Sequence, residues 1–173
     1  MNAPLPIAVL TAGPDGRLSD GVRSWRCALG RGGVRADKRE GDGATPAGRF
    51  ALRRVLWRAD RLARPETGLS STAIDPGDGW CDDPGHAAYN RPVRLPFPAS
   101  HERLWRADGL YDVVVVPGHN DAPPVPGLGS AVFLHVARAD YGPTAGCVAL
   151  ALPDLLEVLA GCGPETVLEI RAA

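Results

Sequence analysis

Apolar residues along the chain occur in short runs of strand length, separated by glycines and prolines. The run at residues 111–116 is rich in valine, which favours a strand buried on both faces. Residues 131–134 form a second buried run that ends at His135. Residues 50–57 alternate between apolar and polar positions, which predicts a half-buried strand. Further strands are predicted at residues 7–11 and 166–170.

One helix is predicted, at residues 152–160. Pro153 suits a first helical turn, and Asp154 favours the positive end of the helix dipole. Leucines at helical spacing give one apolar face, and Gly161 is suited to end the helix.

Glycine and proline are frequent, with 21 and 17 residues, and they follow no period. They predict a hairpin at residues 17–29, with its turn at Asp20-Gly21, and long loops at residues 30–48 and 58–110. Many short strands joined by such turns predict a mainly β fold. The length of 173 residues fits a single domain over residues 1–173.

The charge pattern excludes several classes of partner. The net charge is −1 and the sequence pI is about 6.4, so the chain lacks the basic footprint of a nucleic-acid-binding protein. No apolar run approaches the roughly 18 residues of a transmembrane helix, so we expect no membrane insertion. The N-terminal residues lack a basic region and contain prolines, so no signal peptide is predicted.

The four cysteines, Cys27, Cys81, Cys147 and Cys162, form no CxxC pair. Neither a zinc site nor a disulfide framework is therefore predicted. Cys27 lies in an alternating apolar run and Cys162 lies between glycines, which indicates structural roles for both. Cys81 lies in a polar loop, and its role stays open.

His135 and Cys147 have the residue types of a nucleophile and its base. A thiol is mostly protonated at neutral pH, and an adjacent imidazole can take its proton. Gly146 lets a substrate approach the backbone, and the N–H groups of Gly146 and Cys147 are candidates for an oxyanion hole. Spacing alone does not separate this interpretation from packing roles for both side chains.

Two sequence motifs, one of which contains Cys147, favour a catalytic role for His135 and Cys147. Thr144-Ala145-Gly146-Cys147, with His135 upstream, resembles the signature of the L,D-transpeptidase catalytic domain (YkuD) family. Thr45-Pro46-Ala47-Gly48-Arg49-Phe50 resembles the Thr-Pro-x-Gly-x-Phe element of the same family. The two motifs occur in the family's order and span most of the chain.

The resemblance implies a mainly β fold, a sandwich of mixed sheets with one or two short helices and long Gly/Pro-rich loops. It implies that Cys147 is the nucleophile, that His135 is the general base and acid, and that Thr144 and Gly146 shape the nucleophile loop. The reaction would form an acyl-enzyme on a peptidoglycan stem peptide, which an amine then resolves. No metal or organic cofactor is implied. The family also implies a periplasmic location, and we expect a monomer.

Several positions depart from the family pattern. Ala145 stands where the family usually has His, Val136 where it has Gly, and Ala149 where it often has Arg. A diverged subgroup of short members resembles this chain better. That subgroup joins L-Ala at position 1 of one stem to diaminopimelate at position 3 of another. The resemblance thus implies a 1-3 rather than a 3-3 cross-link. As a separate hypothesis, the stiff loop Pro123-Pro124-Val125-Pro126 restricts the donor entrance and so selects the shorter acyl group.

Polar residues in two loops are candidates for substrate binding. His119 and Asn120 follow the valine strand, where polar groups often bind ligands, although they would equally join loops together. Tyr89 and Arg91 lie in a second polar cluster, in which Arg91 would hold a stem-peptide carboxylate unless the cluster is simply a surface loop. Pro124 is a candidate through its place in the proline-rich loop.

Other functions remain open at this point. A metal hydrolase using His86, His119, His135 or Cys147 lacks a His-x-x-x-His or His-Glu-x-x-His spacing, and His86 and His101 are predicted to lie in exposed loops. A hydrolase of the same family would share the acyl-enzyme. A wall-binding module without catalysis is consistent with the departures around Cys147. A thiol-redox protein lacks a resolving cysteine near Cys147.

Overall fold

The fold consists of short strands and one helix joined by long loops, in a computed structural model that describes residues 4–173. A mainly β fold with mixed sheets is confirmed. The elements in chain order are β1 (Val9–Gly13), β2 (Arg17–Ser19), β3 (Ser24–Arg26), β4 (Val34–Arg35), β5 (Thr45–Pro46), β6 (Gly48–Trp57), β7 (Ser71–Ala73), β8 (Asp78–Cys81), β9 (Pro92–Arg94), β10 (His101–Arg103), β11 (Val113–Pro117), β12 (Leu134–Val136), β13 (Val148–Leu150), α1 (Leu152–Ala160) and β14 (Val167–Ile170).

Strand β6 joins the two halves of a nine-stranded sheet. Residues 48–51 pair antiparallel with β14, and residues 52–57 pair antiparallel with β11. The strand order is β13-β12-β11-β6-β14-β1-β2-β3, and β7 runs parallel to the end of β6. The pairs β1–β14 and β12–β13 are also parallel, so the sheet is mixed.

The valine strand β11 separates two apolar clusters. Val113 and Val115 pack in the cluster that also contains the buried face of α1, and Val114 and Val116 pack with Phe133 on the other side of the sheet. Side chains alternate between the faces of a strand. The run of valines therefore serves two cores, as predicted for a strand buried on both faces.

Helix α1 covers the first of these clusters. Its buried residues are Leu155, Val158 and Leu159, Pro153 lies in its first turn, and Gly161 is its C-terminal cap. The helix predicted at residues 152–160 is confirmed. No helix within residues 4–173 is long and apolar enough to cross a bilayer.

Two segments predicted as loops contain strands that the sequence pattern does not reveal. β4 and β5 pair inside residues 30–48, and β8, β9 and β10 form a separate sheet inside residues 58–110. Each of these strands has only two to four residues, too few to establish a period of two. Within residues 58–110, Arg58 connects the two ends of the segment, since its guanidinium stacks on Trp105 and donates to the carbonyl of Arg106.

The strand predicted at residues 131–134 is shifted towards the C-terminus. Ala131 has a φ of 51°, in the left-handed region, which interrupts strand geometry. β12 starts at Leu134, so His135 lies in the middle of the strand rather than after its end. Ala131 and Phe133 are nevertheless buried. The apolar pattern therefore indicated burial correctly but did not indicate the backbone geometry.

The prediction that His86 and His101 lie in exposed loops is wrong about exposure for both residues, although His86 does lie in a loop. Each is half-buried, and His101 lies in β10. Their rings flank Phe97 in edge-on contacts, with centroids 4.9 Å and 5.8 Å away. The packing of both imidazole rings on Phe97 therefore buries part of each histidine in this otherwise polar segment.

Buried thiols should make the fold sensitive to alkaline pH. Burial raises the pKa of Cys27, Cys147 and Cys162 to about 12, above the ordinary value of 9.0. Below the pKa of the unfolded thiol, both states are protonated and the native state keeps its full stability. As the pH rises from there to the native pKa, only the unfolded state loses the proton, so the free energy of unfolding falls. Between pH 9.0 and about 12 the free energy of unfolding should fall by about 1.4 kcal/mol per pH unit for each thiol.

Urea unfolding of a Cys27→Ala/Cys162→Ala variant measures this effect. Its stability should decline less steeply over the alkaline range than that of the wild type. Equal slopes for the two proteins would show that these thiols titrate normally in the native state.

Candidate active site

His135 lies in β12 and Cys147 immediately precedes the neighbouring strand β13, and the two side chains face the same side of the sheet. β12 and β13 pair in parallel, with Leu134 opposite Val148. Leu134 and Val148 belong to the cluster beneath α1, whereas Phe133 and Cys147 belong to the cluster on the other face. Since side chains alternate along paired strands, His135 points to the face that carries Cys147.

A cavity of about 400 Å³ opens on this face, and we call it the thiol cavity. Its wall brings together Thr144, Gly146, Cys147 and His135, the residues predicted from sequence as the nucleophile loop and its base. Cys147 and His135 are each 7% exposed, so both side chains are largely withdrawn from solvent.

The thiol of Cys147 is held by two backbone groups. Sγ donates to the carbonyl oxygen of Ala131 and accepts a hydrogen bond from the N–H of Phe133, each at 3.3 Å. Burial, reinforced by the carboxylate of Glu102, raises the pKa of Cys147 to about 12, although the Phe133 N–H and the Lys38 ammonium act in the opposite direction. The resting thiol is therefore protonated at neutral pH and needs a base to react.

No hydrogen bond from residues 4–173 engages the Nε2 of His135, so this nitrogen can accept a proton. The Nδ1 of the same imidazole lies 2.9 Å from the carbonyl oxygen of Val136. A carbonyl only accepts, so Nδ1 carries the hydrogen and the neutral ring keeps a lone pair on Nε2. The ring packs edge-on against Tyr111, with 5.3 Å between centroids. Burial lowers the pKa of His135 below 6.5, which keeps the ring neutral at neutral pH.

The loop before Cys147 is stabilised by the hydroxyl of Thr144. That hydroxyl donates to the carbonyl of Cys147 at 2.7 Å and accepts from the N–H of Gly146 at 3.0 Å. The N–H of Gly146 is thus engaged inside the loop, which corrects its predicted availability for an oxyanion hole. Among the described residues the N–H of Cys147 has no such partner, so it is the donor left for a developing oxyanion.

Gly146 is required by the close approach of a second loop. Its φ is 140°, and a Cβ at this position would come within 2.7 Å of the carbonyl oxygen of Ala44. The next residue, Thr45, is fully buried and accepts a hydrogen bond from the N–H of Gly30 at 2.8 Å. The arginine that follows Gly30, Arg31, donates its N–H to the carbonyl of Thr144. The upstream Thr-Pro motif therefore supports the nucleophile loop through residues 30 and 31.

Comparison with known proteins identifies the family. Residues 14–170 match the family model of the L,D-transpeptidase catalytic domain. The chain belongs to this family. Members of the family act on peptidoglycan.

Other comparisons add less. No protein of curated function matches the sequence. Among solved structures, the helical cell shape determining protein Pgp2 from Campylobacter jejuni is 15% identical with a TM-score of 0.47. The match covers 96% of this chain and 48% of that one, so the chain spans about half the length of Pgp2. A likeness at this level carries no argument about function.

This member of the L,D-transpeptidase catalytic domain family surrounds the Cys147 thiol with charges that sequence patterns did not reveal. The wall of the thiol cavity contains cations (Arg31, Lys38, Arg106 and Arg138) and anions (Glu40, Asp82 and Glu102). Lys38 is only 7% exposed, and its Nζ lies 2.6 Å from Asp42. Glu102 accepts a hydrogen bond from the hydroxyl of Tyr111 at 2.6 Å, and burial raises the pKa of its carboxyl. These residues come from segments far apart in sequence, including strand β10, so only the fold brings them to one cavity.

Tyr89 lies behind the cavity wall. It is buried, and its hydroxyl donates to Glu40 at 2.5 Å and accepts from the N–H of Gly129 at 3.0 Å. Ser130 donates to the same oxygen of Glu40 at 2.8 Å. Tyr89 thus positions a charged residue of the thiol cavity without being part of its wall.

Asn120 and Pro124 belong to the proline-rich loop, and neither lines the thiol cavity. The amide of Asn120 donates to the carbonyls of Val125 and Gly129, and its oxygen accepts the N–H of Val125. Asn120 therefore fixes the conformation of this loop, and Pro124 is half-buried within it.

His119 and Arg91 lie together at a second, smaller cavity. The Nε2 of His119 is 3.1 Å from the carbonyl of Leu128, and burial lowers the pKa of this imidazole. Arg91 is exposed at the cavity rim. Neither residue shares the wall of the thiol cavity. Within residues 4–173, no group of three or more His, Cys, Asp or Glu side chains is arranged to hold a metal ion.

Replacing Gly146 by Ala should distort the nucleophile loop. The positive φ and the 2.7 Å contact with Ala44 predict a loss of about 1–3 kcal/mol in the free energy of unfolding. Gly163→Ala is the matched control, because a Cβ there meets nothing within 4 Å. Urea unfolding and the rate of Cys147 alkylation by iodoacetamide measure the two effects. If both variants behaved alike, the close approach would have no structural consequence.

Proposed function

We propose that this domain is an L,D-transpeptidase that cross-links peptidoglycan stem peptides through an acyl-enzyme on Cys147. The observation that carries the proposal is the common orientation of Cys147 and His135 at one cavity, with the Nε2 of His135 free. Membership of the family supports peptidoglycan as the substrate.

The first half of the reaction acylates the thiol. The thiol turns from the carbonyl of Ala131 towards His135, and Nε2 takes its proton while Sγ attacks the carbonyl carbon of the donor peptide. The N–H of Cys147 donates to the oxyanion that forms. The C–N bond of the donor breaks, and His135 returns the proton to the departing amine. A thioester between the donor and Cys147 remains.

The second half transfers the acyl group. The amine of a neighbouring stem attacks the thioester carbonyl and gives up a proton to Nε2 of His135. The new amide bond forms as the C–S bond breaks, and the thiolate recovers its proton from His135. The carbonyl of Val136 holds the ring in one tautomer through both halves and favours its protonated form.

The charges in the thiol cavity suit a peptide with both acidic and basic groups. Arg31 and Arg138 present positive charge for carboxylates, and Glu40 and Asp82 present negative charge for an ammonium group. Diaminopimelate carries both kinds of group on its side chain. We propose it as the acceptor, with L-Ala at position 1 of the other stem as the donor in a 1-3 linkage.

The proline-rich loop is connected to this cavity through Glu40. The N–H of Glu40 donates to the carbonyl of Gly127 at 2.9 Å, directly after the prolines. A change in the loop would therefore move a charged residue of the cavity. This connection supports a role for Pro124 in restricting the donor, acting through Glu40 rather than by direct contact.

We also propose the setting in which the enzyme acts. A peptidoglycan substrate places it in the periplasm, and residues 1–173 would work as one monomeric catalytic domain. A hydrolase of the same family, in which water resolves the acyl-enzyme, is the second candidate, because the thiol chemistry is identical up to that step. A wall-binding module without catalysis is the third.

Product analysis by mass spectrometry tests these functions. Wild-type protein incubated with disaccharide tetrapeptides should give a cross-linked dimer, and Cys147→Ala should give none. His135→Asn should slow the reaction by about 10²–10⁴-fold, the usual contribution of a general base. Fragmentation of the dimer distinguishes a 1-3 from a 3-3 bond.

The products also separate the alternatives. Shortened monomers without dimer would identify the hydrolase. Absence of product from wild-type protein with a titratable Cys147 thiol would reject both enzymes and favour the binding module.

The pH dependence of acylation tests His135 as the base. The active ring is neutral, and burial lowers its pKa below 6.5. The rate of acylation should therefore fall to half only at a pH below 6.5, as acid protonates the ring. Glu102→Gln is the control, because the raised pKa of Glu102 could produce a similar acidic limb. A limb that vanishes in Glu102→Gln would assign the titration to the carboxyl instead.

A further inference from the structure

A second cavity lies beside the thiol cavity on the same side of the sheet. Its volume is about 280 Å³, and both cavities have Val132 in their walls. Its floor is apolar and belongs to the second core cluster, with Trp80, Val116 and Phe133. Its rim carries Arg53, Arg54 and Arg91. We call it the arginine cavity.

A β-bulge brings two of these arginines to one face. Successive side chains of a regular strand point to opposite faces, so Arg53 and Arg54 would normally diverge. The pairing of β6 with β11 shifts register between Leu52 and Arg54. Leu52 and Val55 consequently both face the cluster beneath α1, and the two arginines between them both line the cavity. Bulges that redirect side chains recur beside functional sites.

Arg53 is fixed in place and neutralised. Its Nε and Nη2 donate to the carboxylate of Asp121 at 2.9 Å and 3.2 Å. The guanidinium of Arg53 lies against Gly118. A Cβ on Gly118 would come within 2.7 Å of the guanidinium, so the glycine leaves the space that Arg53 occupies. Asp121 is the acidic residue among those that line the cavity, and its carboxylate is already engaged by Arg53.

Arg54 and Arg91 keep their charge available. Neither forms an ion pair with any of residues 4–173. The guanidinium carbon of Arg54 lies 5.9 Å from the ring centroid of Trp80, above the apolar floor. Guanidinium groups bind carboxylates through paired, charge-assisted hydrogen bonds. The complementary ligand has a carboxylate attached to an aliphatic or peptide body.

We infer that the arginine cavity binds a free carboxylate of the peptide substrate, away from the bond that Cys147 attacks. The inference rests on the proposed function, because stem peptides carry carboxylates along their length. A peptide that crosses Val132 occupies both cavities. Arg54 and Arg91 then determine affinity for the peptide, while Cys147 and His135 determine the chemistry.

Binding to a Cys147→Ala protein tests this without turnover. The ligand is synthetic L-Ala-γ-D-Glu-meso-diaminopimelate-D-Ala, compared with the same peptide whose carboxylates are amidated. Adding Arg54→Gln and Arg91→Gln should raise Kd for the acidic peptide at least tenfold. Arg64→Gln/Arg103→Gln, which removes the same charge from two exposed arginines outside both cavities, should leave Kd unchanged.

A spectroscopic signal locates the site. The indole N–H of Trp80 donates to Asn90 beneath the cavity, and its NMR resonance should shift with the acidic peptide but not with the amidated one. Equal Kd values for the two double variants, or an unmoved Trp80 resonance, would overturn the inference.

Measurements of turnover test the arginine cavity separately from the proposed transpeptidase activity. In protein with an intact thiol, Arg54→Gln/Arg91→Gln should raise KM for the peptide and leave the alkylation rate of Cys147 unchanged. Turnover with an unaltered KM would reject the arginine cavity and retain the transpeptidase. Arginine-dependent binding without turnover would retain the cavity and reject the transpeptidase.

Discussion

The candidate site depends on the parallel pairing of two three-residue strands, β12 and β13. A slip of one residue in either strand would turn His135 or Cys147 away from the cavity and into the cluster beneath α1. The apolar neighbours Leu134 and Val148 prevent such a slip, because they are fully buried in that cluster. Ala28 exchanges both backbone hydrogen bonds with Ala149 on the outer side of β13, which leaves this short strand paired on both edges. The positions of the polar pair are thus set by the burial of their apolar neighbours.

The sequence predicted the parts of the molecule that have long or distinctive patterns. The helix at residues 152–160 and the valine strand have such patterns, and Cys147 with Gly146 and Thr144 forms a recognisable motif. The strands of residues 71–103 were missed because three or four residues do not establish a period. The charged wall was missed for a different reason: Lys38, Glu102 and Arg138 lie far apart in sequence and meet only through the pairing of distant strands. Tyr89 is predicted to bind substrate but lies behind the cavity wall, and its contact with Glu40 at 2.5 Å depends on loop packing that no local pattern encodes.

Burial sets the electrostatic state of the resting site. It disfavours the charged form of both reactive groups, raising the pKa of Cys147 to about 12 and lowering that of His135. The resting pair is therefore a neutral thiol and a neutral imidazole, unlike a preformed thiolate–imidazolium pair. In the reaction we propose, the proton moves from the thiol to the imidazole as the sulfur attacks the carbonyl carbon. A thiol held in its protonated form would react slowly with alkylating agents and oxidants, since the thiolate is the reactive form.

The departure of Ala145 from the family pattern is best understood through the loop of residues 38–44. The family usually has a second imidazole at this position, and here the side chain is a methyl group at the cavity wall. A cation of this wall is Lys38, whose Nζ lies 3.6 Å from the position that a Cβ on Gly146 would occupy. Asp42 holds this ammonium and also accepts the N–H of Ala44, and these contacts lower the pKa of its carboxyl to about 2 against the effect of burial. Ala44 in turn is the residue whose carbonyl excludes any side chain at Gly146. One loop therefore imposes the glycine before Cys147 and places the Lys38–Asp42 ion pair beside it.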